Sequence, residues 1–243
     1  MRDEPGPTGL APDAPGRDRL GGEAAIAARP VRVWDPWIRL CHWSIVVLIG
    51  VSYFSIQAGN MRLHYLSGYT VLTLVLFRIA WGVVGSDTAR FVRFLRSPLA
   101  ALRHLSHFTR PEDDREVGHN AAGGWMVLVL LGLLLAQAGT GLFADSGYGD
   151  YGPLAKTVAS DTSDWLTGQH HRIFKLILAA AVLHVLAVAA YMMVKGHDLV
   201  GPMVTGRKTL PAEVAAPRLG SPLLALGLLA GSALLVWGIS RLG

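Results

Sequence analysis

The chain has 243 residues, of which 51% are hydrophobic and only 16% charged, with a mean hydropathy of +0.39. That balance excludes an ordinary soluble domain and fits a small multi-pass membrane protein. The net charge of +5 does not point to nucleic acid, because the basic residues cluster between apolar stretches, where membrane topology accounts for them.

Residues 1–30 are rich in Pro, Gly, Ala, Asp and Arg and lack an apolar run of signal-peptide length, which predicts a disordered cytoplasmic tail. A bilayer core of about 30 Å takes roughly 20 apolar residues per helical span. Five stretches qualify: 38–58, 63–84, 121–143, 171–194 and 222–240. None alternates with the two-residue period of a membrane barrel strand, so the expected fold class is an all-α membrane protein.

The first span carries Arg39, Cys41 and His42. A single cysteine excludes an internal disulfide, and without a CxxCH motif covalent c-type haem attachment is excluded as well. The second span opens on His64 and continues through Ser67, Gly68 and Arg78. Residues 86–118 interleave apolar and basic side chains, as in "ARFVRFLRSPLAALRHLSHF", which predicts a broken amphipathic helix on the cytoplasmic leaflet with His104 and His107 at the interface. His119 precedes the third span, whose Gly123, Gly124, Gly132, Gly139 and Gly141 give it a low surface. An acidic loop follows with Asp145, Asp150, Asp161 and Asp164, then the fourth span with His170, His171, Arg172, Lys175 and His184. Residues 211–243 read as a linker and a fifth transmembrane helix. Arg and Lys concentrate before the first span, between the second and third, and after the fourth, which places the amino terminus in the cytoplasm.

At about 100° per residue, fourteen steps return to within roughly 40° of the starting face, whereas thirteen miss it by about 140°. His170 and His184 therefore share a face, about 21 Å apart along the axis, and His171 points elsewhere. Spans one and two put His42 near the cytoplasmic side and His64 near the outer side. Span four runs inward, so depth pairs His42 with His184 and His64 with His170. Two planar cofactors stacked along the membrane normal fit that arrangement, since haem iron in a helical bundle takes axial ligands from facing helices. A zinc or copper ion is the competing metal reading, but it needs its ligands within a few ångströms, which the axial separation opposes. Haem propionates need cations, and Arg39 and Arg78 lie on the cofactor side near the cytoplasmic end; snorkelling to lipid phosphate is their alternative role. A reading of another class is a proton-coupled transporter using Lys175 and the histidines as a relay.

The ordered motifs "VWDPWIRLCHW", "LHYLSGY", "FRIAWGVVG", "ARFVRFLRSP", "GHNAAGGW", "GLF", "HHRIF…LHV" and "LVGPMVTGRK" resemble the bacterial cytochrome b561 family, which includes the di-haem b-type cytochrome subunit of nickel-iron hydrogenases. The resemblance covers about residues 31–210 and implies a four-helix transmembrane bundle holding two haem b groups, with His42, His64, His170 and His184 as axial ligands. His171 stands where many relatives carry glutamate, which makes it a proton carrier near the outer haem or a headgroup-facing residue. His119 is not an axial ligand in the family, and its expected role is a hydrogen bond to the inner haem or a helix start. The family further implies a place in the bacterial inner membrane and electron exchange with the quinone pool. The expected reaction is transfer from quinol to a periplasmic c-type cytochrome. The alternative is a membrane anchor for a hydrogenase or other periplasmic dehydrogenase that reduces quinone.

Overall fold

A computed structural model describes residues 28–106, 116–147 and 149–243. The predicted tail, apart from its last three residues, lies outside the described residues, as does His107.

The described chain opens with a strand where a tail was expected: β1 (Ala28–Arg32) leads into α1 (Pro36–Gln57). Asp35 caps α1, its carboxylate accepting from the Ile38 amide at 2.9 Å, and Pro36 occupies the first turn, where no amide donor is needed. A tight turn through Gly59, at φ 66°, reverses the chain into α2 (Met61–Val84), capped by Asn60. The described part of the predicted amphipathic loop contains two short helices, α3 (Phe91–Phe94) and α4 (Pro98–Ser106). On α4, Leu99, Leu102 and Leu105 stay exposed at three-residue spacing, the stripe that a membrane surface would cover.

Asn120 caps α5 (Ala121–Leu142) by accepting from the Gly123 amide at 2.7 Å. The fourth long helix, α6, spans Ser160–Lys195 and so begins three turns before the expected start at 171. It stops at Gly196, whose φ of 67° suits glycine. The short α7 (Val200–Thr205) and strand β2 (Arg207–Pro211) follow, and α8 (Pro222–Ser240) completes the described chain. Among the described residues, five helices (α1, α2, α5, α6 and α8) are long and apolar enough to cross a membrane.

Alternating helix directions give the bundle two ends. At the sheet end, β1 and β2 pair antiparallel, Ala28 opposite Pro211 and Arg32 opposite Arg207. Val31, Val33 and Leu210 are buried beneath this pair, and the Thr88 hydroxyl ties it to the α2–α3 turn by donating to the Val33 carbonyl at 2.7 Å. The far end holds the 58–60 turn, the 143–159 loop and the carboxyl terminus, with Gly243 against Pro153.

The central helix is α2, which packs on α1, α5 and α8. Its Val75, Phe77 and Trp81 join Ile38 and Cys41 of α1, Leu131 and Leu134 of α5, Ile177 of α6 and Ala225 of α8 in one core. Among the described residues, α5 is the long helix along which α6 packs, and α6 is the least buried of the five. It reaches α1 through side chains, as where Tyr53 stacks on Phe174 at 5.6 Å.

Asp35 couples the sheet end to this core, because its second carboxylate oxygen accepts from the Trp81 indole at 3.0 Å in a site with both residues buried. Asp35→Ala removes a cap and strands an indole donor, which together cost about 2–4 kcal/mol. A thermal melt of the detergent-solubilised protein is expected to fall accordingly, with Asp35→Asn in between. An unchanged melt for the alanine variant would show that the clasp carries no stability.

Candidate cofactor-binding site

The structure brings four of the sequence-predicted histidines together in two pairs. At the sheet end, His42 of α1 faces His184 of α6 with ring centres 6.4 Å apart and planes at 61°. Toward the far end, His64 of α2 faces His170 of α6 at 6.2 Å and 78°. All four rings are half-buried. A metal–imidazole bond runs about 2 Å and the ring centre lies about 1 Å beyond the nitrogen, so imidazoles on opposite sides of one iron stand about 6 Å apart. Both spacings fit an iron between each pair. Among the described residues, no group of three or more His, Cys, Asp or Glu side chains converges as ligands for a lone metal ion.

The far-end pair is held by main-chain oxygen. His64 Nδ1 lies 3.0 Å from the Ser52 carbonyl and 3.0 Å from the Ser52 hydroxyl. His170 Nδ1 lies 2.9 Å from the Gln137 carbonyl, with the Thr140 hydroxyl at 3.4 Å. A carbonyl only accepts, so each Nδ1 is the protonated nitrogen and each Nε2 keeps its lone pair. That is the tautomer a metal ligand needs. The Gln137 side-chain amide donates to His170 Nε2 at 3.0 Å, and its carbonyl oxygen is buried without a partner. Gly141, one turn after Gln137, allows the close approach of this ring, because a Cβ there would sit 2.9 Å from His170 Cε1.

The sheet-end pair is held differently. His42 Nδ1 is buried without a partner. Its helix is anchored next door, where the Trp43 indole donates to the Met203 carbonyl of α7 at 3.1 Å. Arg39, expected at a propionate, has a guanidinium that donates to the Val204 carbonyl while its Nε is buried without a partner. Arg78 is buried in α2, donating to the Ala89 carbonyl at 3.3 Å and lying over the Phe91 ring at 5.3 Å. Among the described residues it has no carboxylate within ion-pair distance, so a buried guanidinium with donors to spare stands at this end, which suits a propionate.

His119 lies just before the Asn120 cap of α5, with its ring 4.7 Å from both Trp34 and Phe94 and its Nδ1 buried without a partner. Burial, reinforced by Arg78, His184 and His42, pushes it down to about 3, so it stays neutral.

The small residues divide into two sets. A Cβ at Gly68, Gly132 or Gly139 would meet nothing within 4 Å, whereas at Gly124 it would meet Phe94 at 2.9 Å. Gly68 lies one turn beyond His64 and keeps a low surface beside it. His171, Arg172 and Lys175 are exposed, with the His171 ring 6.3 Å from that of His170. His104 is more than interfacial: its ring stacks on Tyr191 of α6, with Nε2 and the phenol oxygen 2.6 Å apart. Beside His64 at the far end, Tyr65, Asp150, Tyr151 and Lys156 line a cleft of about 280 Å³.

Ser52, Gln137 and Thr140 are the site residues that the sequence reading passed over. A usable signal was present, since Gln137 and Thr140 are polar side chains inside an otherwise apolar helix.

The pattern of the prokaryotic cytochrome b561 family matches residues 33–206. A probable Ni/Fe-hydrogenase B-type cytochrome subunit of Bradyrhizobium diazoefficiens is 22% identical over 224 residues, covering 77% of this chain and 89% of that protein. No solved structure matches the chain. The match takes in both histidine pairs and leaves α8 outside it. With five apolar helices among the described residues and a family pattern that spans most of its length, the chain is a multi-pass membrane b-type cytochrome of electron transfer, and it belongs to the prokaryotic cytochrome b561 family.

Proposed function

We propose that the chain holds two haem b groups, one between His42 and His184 and one between His64 and His170, and conducts electrons across the bacterial inner membrane between the quinone pool and a protein redox partner. The observation that carries this reading is the pair of cross-helix imidazole spacings, 6.4 Å and 6.2 Å, at two depths of one bundle. Haem iron, when bound, supplies reversible one-electron chemistry. The chain contributes the ligands, the apolar surroundings and the cations. Arg78 and Arg39 are the candidates for the propionates of the sheet-end group, and His119 is a neutral side chain beside it. The basic segments of the sheet end support a cytoplasmic position for that end.

The partner is read as a hydrogenase or another periplasmic dehydrogenase, with this chain as its anchor and electron acceptor and quinone as the product side. The relative named as a hydrogenase B-type cytochrome subunit favours this direction over transfer from quinol to a c-type cytochrome. The second reading keeps one observation on its side. Asp145, Asp150, Asp161 and Asp164 gather at the far end, a surface that would steer a basic cytochrome.

The test is a haem count on the purified protein by pyridine haemochrome, together with its reduced spectrum. Two b-type haems per chain are expected. A colourless protein would move the chain to the transporter reading, and a single haem would remove one of the two pairs.

A further inference from the structure

We infer that Ser52 and Gln137 are positioning residues of the His64/His170 pair, and that the hydrogen bonds their main-chain carbonyls accept make this the lower-potential of the two sites. The inference rests on the two-haem reading above and adds an order to it: one electron shared between the sites rests at His42/His184.

The two pairs differ in what the ring nitrogens meet. In the far-end pair both Nδ1–H groups donate to carbonyl oxygens, at 3.0 Å to Ser52 and 2.9 Å to Gln137. In the sheet-end pair His42 Nδ1 is buried with no acceptor, and among the described residues no hydrogen bond reaches the His184 ring. A carbonyl drawing on Nδ1–H makes the imidazole a stronger electron donor through Nε2. A stronger donor favours ferric over ferrous iron, which lowers the potential, and hydrogen bonding behind the axial ligand is one of the levers a protein has on haem. Two such bonds act on one site and none on the other.

Charge pushes the same way. Arg78 is a buried cation at the sheet end. A nearby positive charge stabilises the reduced, less positive iron. The buried Asp35 carboxylate opposes Arg78, but its two oxygens already accept from the Ile38 amide and the Trp81 indole. At the far end Asp145 and Asp150 are offset by Lys156, Arg172 and Lys175, all of them outside the buried core, where salt and water screen them.

The experiment is a spectroelectrochemical redox titration of the haem-loaded protein and of three variants. The wild type is expected to resolve into two one-electron components whose ratio favours the upper site at least tenfold, a gap of about 59 mV for a one-electron couple. His64→Ala is expected to retain the upper component, and His42→Ala the lower. Ser52→Ala, which removes the hydroxyl that shares Nδ1–H, is expected to move the lower component and leave the upper one in place. Two haems with coincident midpoints, or with the assignments exchanged, overturn the inference while the two-haem reading survives. A Ser52→Ala shift confined to the upper component, or haem loss without any shift, overturns it as well. Protein that takes up no haem defeats the functional reading itself, and this order with it.

Discussion

Replacing His64 or His170 by alanine is expected to remove one and the same haem, leaving the other bound with its spectrum unaltered. Replacing His42 or His184 should remove the complementary one. The expectation follows from which helices meet. The His64 and His170 rings lie 6.2 Å apart, and those of His42 and His184 6.4 Å, while along α6 the two ligand positions are separated by about 21 Å of helix rise. A bis-imidazole iron that loses one ligand keeps a single bond in an apolar slot, so haem content at that site should fall by most of its value. Each variant should therefore hold close to half the wild-type haem. The double variant His64→Ala with His170→Ala should lose no more than either single variant, because members of one site act as a unit. His64→Ala combined with His42→Ala should lose nearly all of it. Measuring haem per chain and low-temperature absorption for the four single and two double variants distinguishes the patterns. If His64→Ala and His42→Ala matched each other and His170→Ala matched neither, the helices would have to be paired differently.

How much of this was legible beforehand depends on the range of the signal. The pairing of His42 with His184 and of His64 with His170 was readable because helix rise and rotation are fixed by the backbone, and the basic segments give an expected direction to each span. Those two regularities are enough to match depths without any knowledge of contacts. The β1–β2 ladder was not readable. It joins Ala28–Arg32 to Arg207–Pro211 across nearly the whole chain, and "ARPVR" carries a proline and two arginines that mask a strand. The same long reach hid Arg39, whose guanidinium meets Val204, and His104, which meets Tyr191. The start of α6 was set late for a different reason. Its first three turns, from Ser160, are polar and stand beyond the apolar run, so a hydropathy window cannot see a helix that continues out of the membrane core. The glycines of α5 show the limit of composition most clearly. Gly139 and Gly141 look alike in sequence, yet only the second has an imidazole against it.

Gly141→Val is expected to abolish the far-end haem while leaving the sheet-end one intact. A Cβ at this position would stand 2.9 Å from His170 Cε1 and 3.2 Å from Nδ1, and the branches of valine extend further. The ring has little freedom to withdraw, because its Nδ1–H is tied to the Gln137 carbonyl at 2.9 Å. Overpacking costs about 1–3 kcal/mol and the broken hydrogen bond about 1 kcal/mol more, so the imidazole leaves its place rather than compress. Alanine at the same position should weaken haem retention without abolishing it, since only the Cβ contact must be relieved. Gly139→Val is the control. It lies two residues earlier, about 200° around the helix from Gly141, and a Cβ there meets nothing within 4 Å, so both haems should remain. The readouts are haem per chain and the thermal melt of the detergent-solubilised protein. A loss of haem with an unchanged melt places the effect at His170. Full haem content in Gly141→Val would mean that the ring of His170 does not sit where Gly141 leaves room for it, and the far-end site would need another ligand.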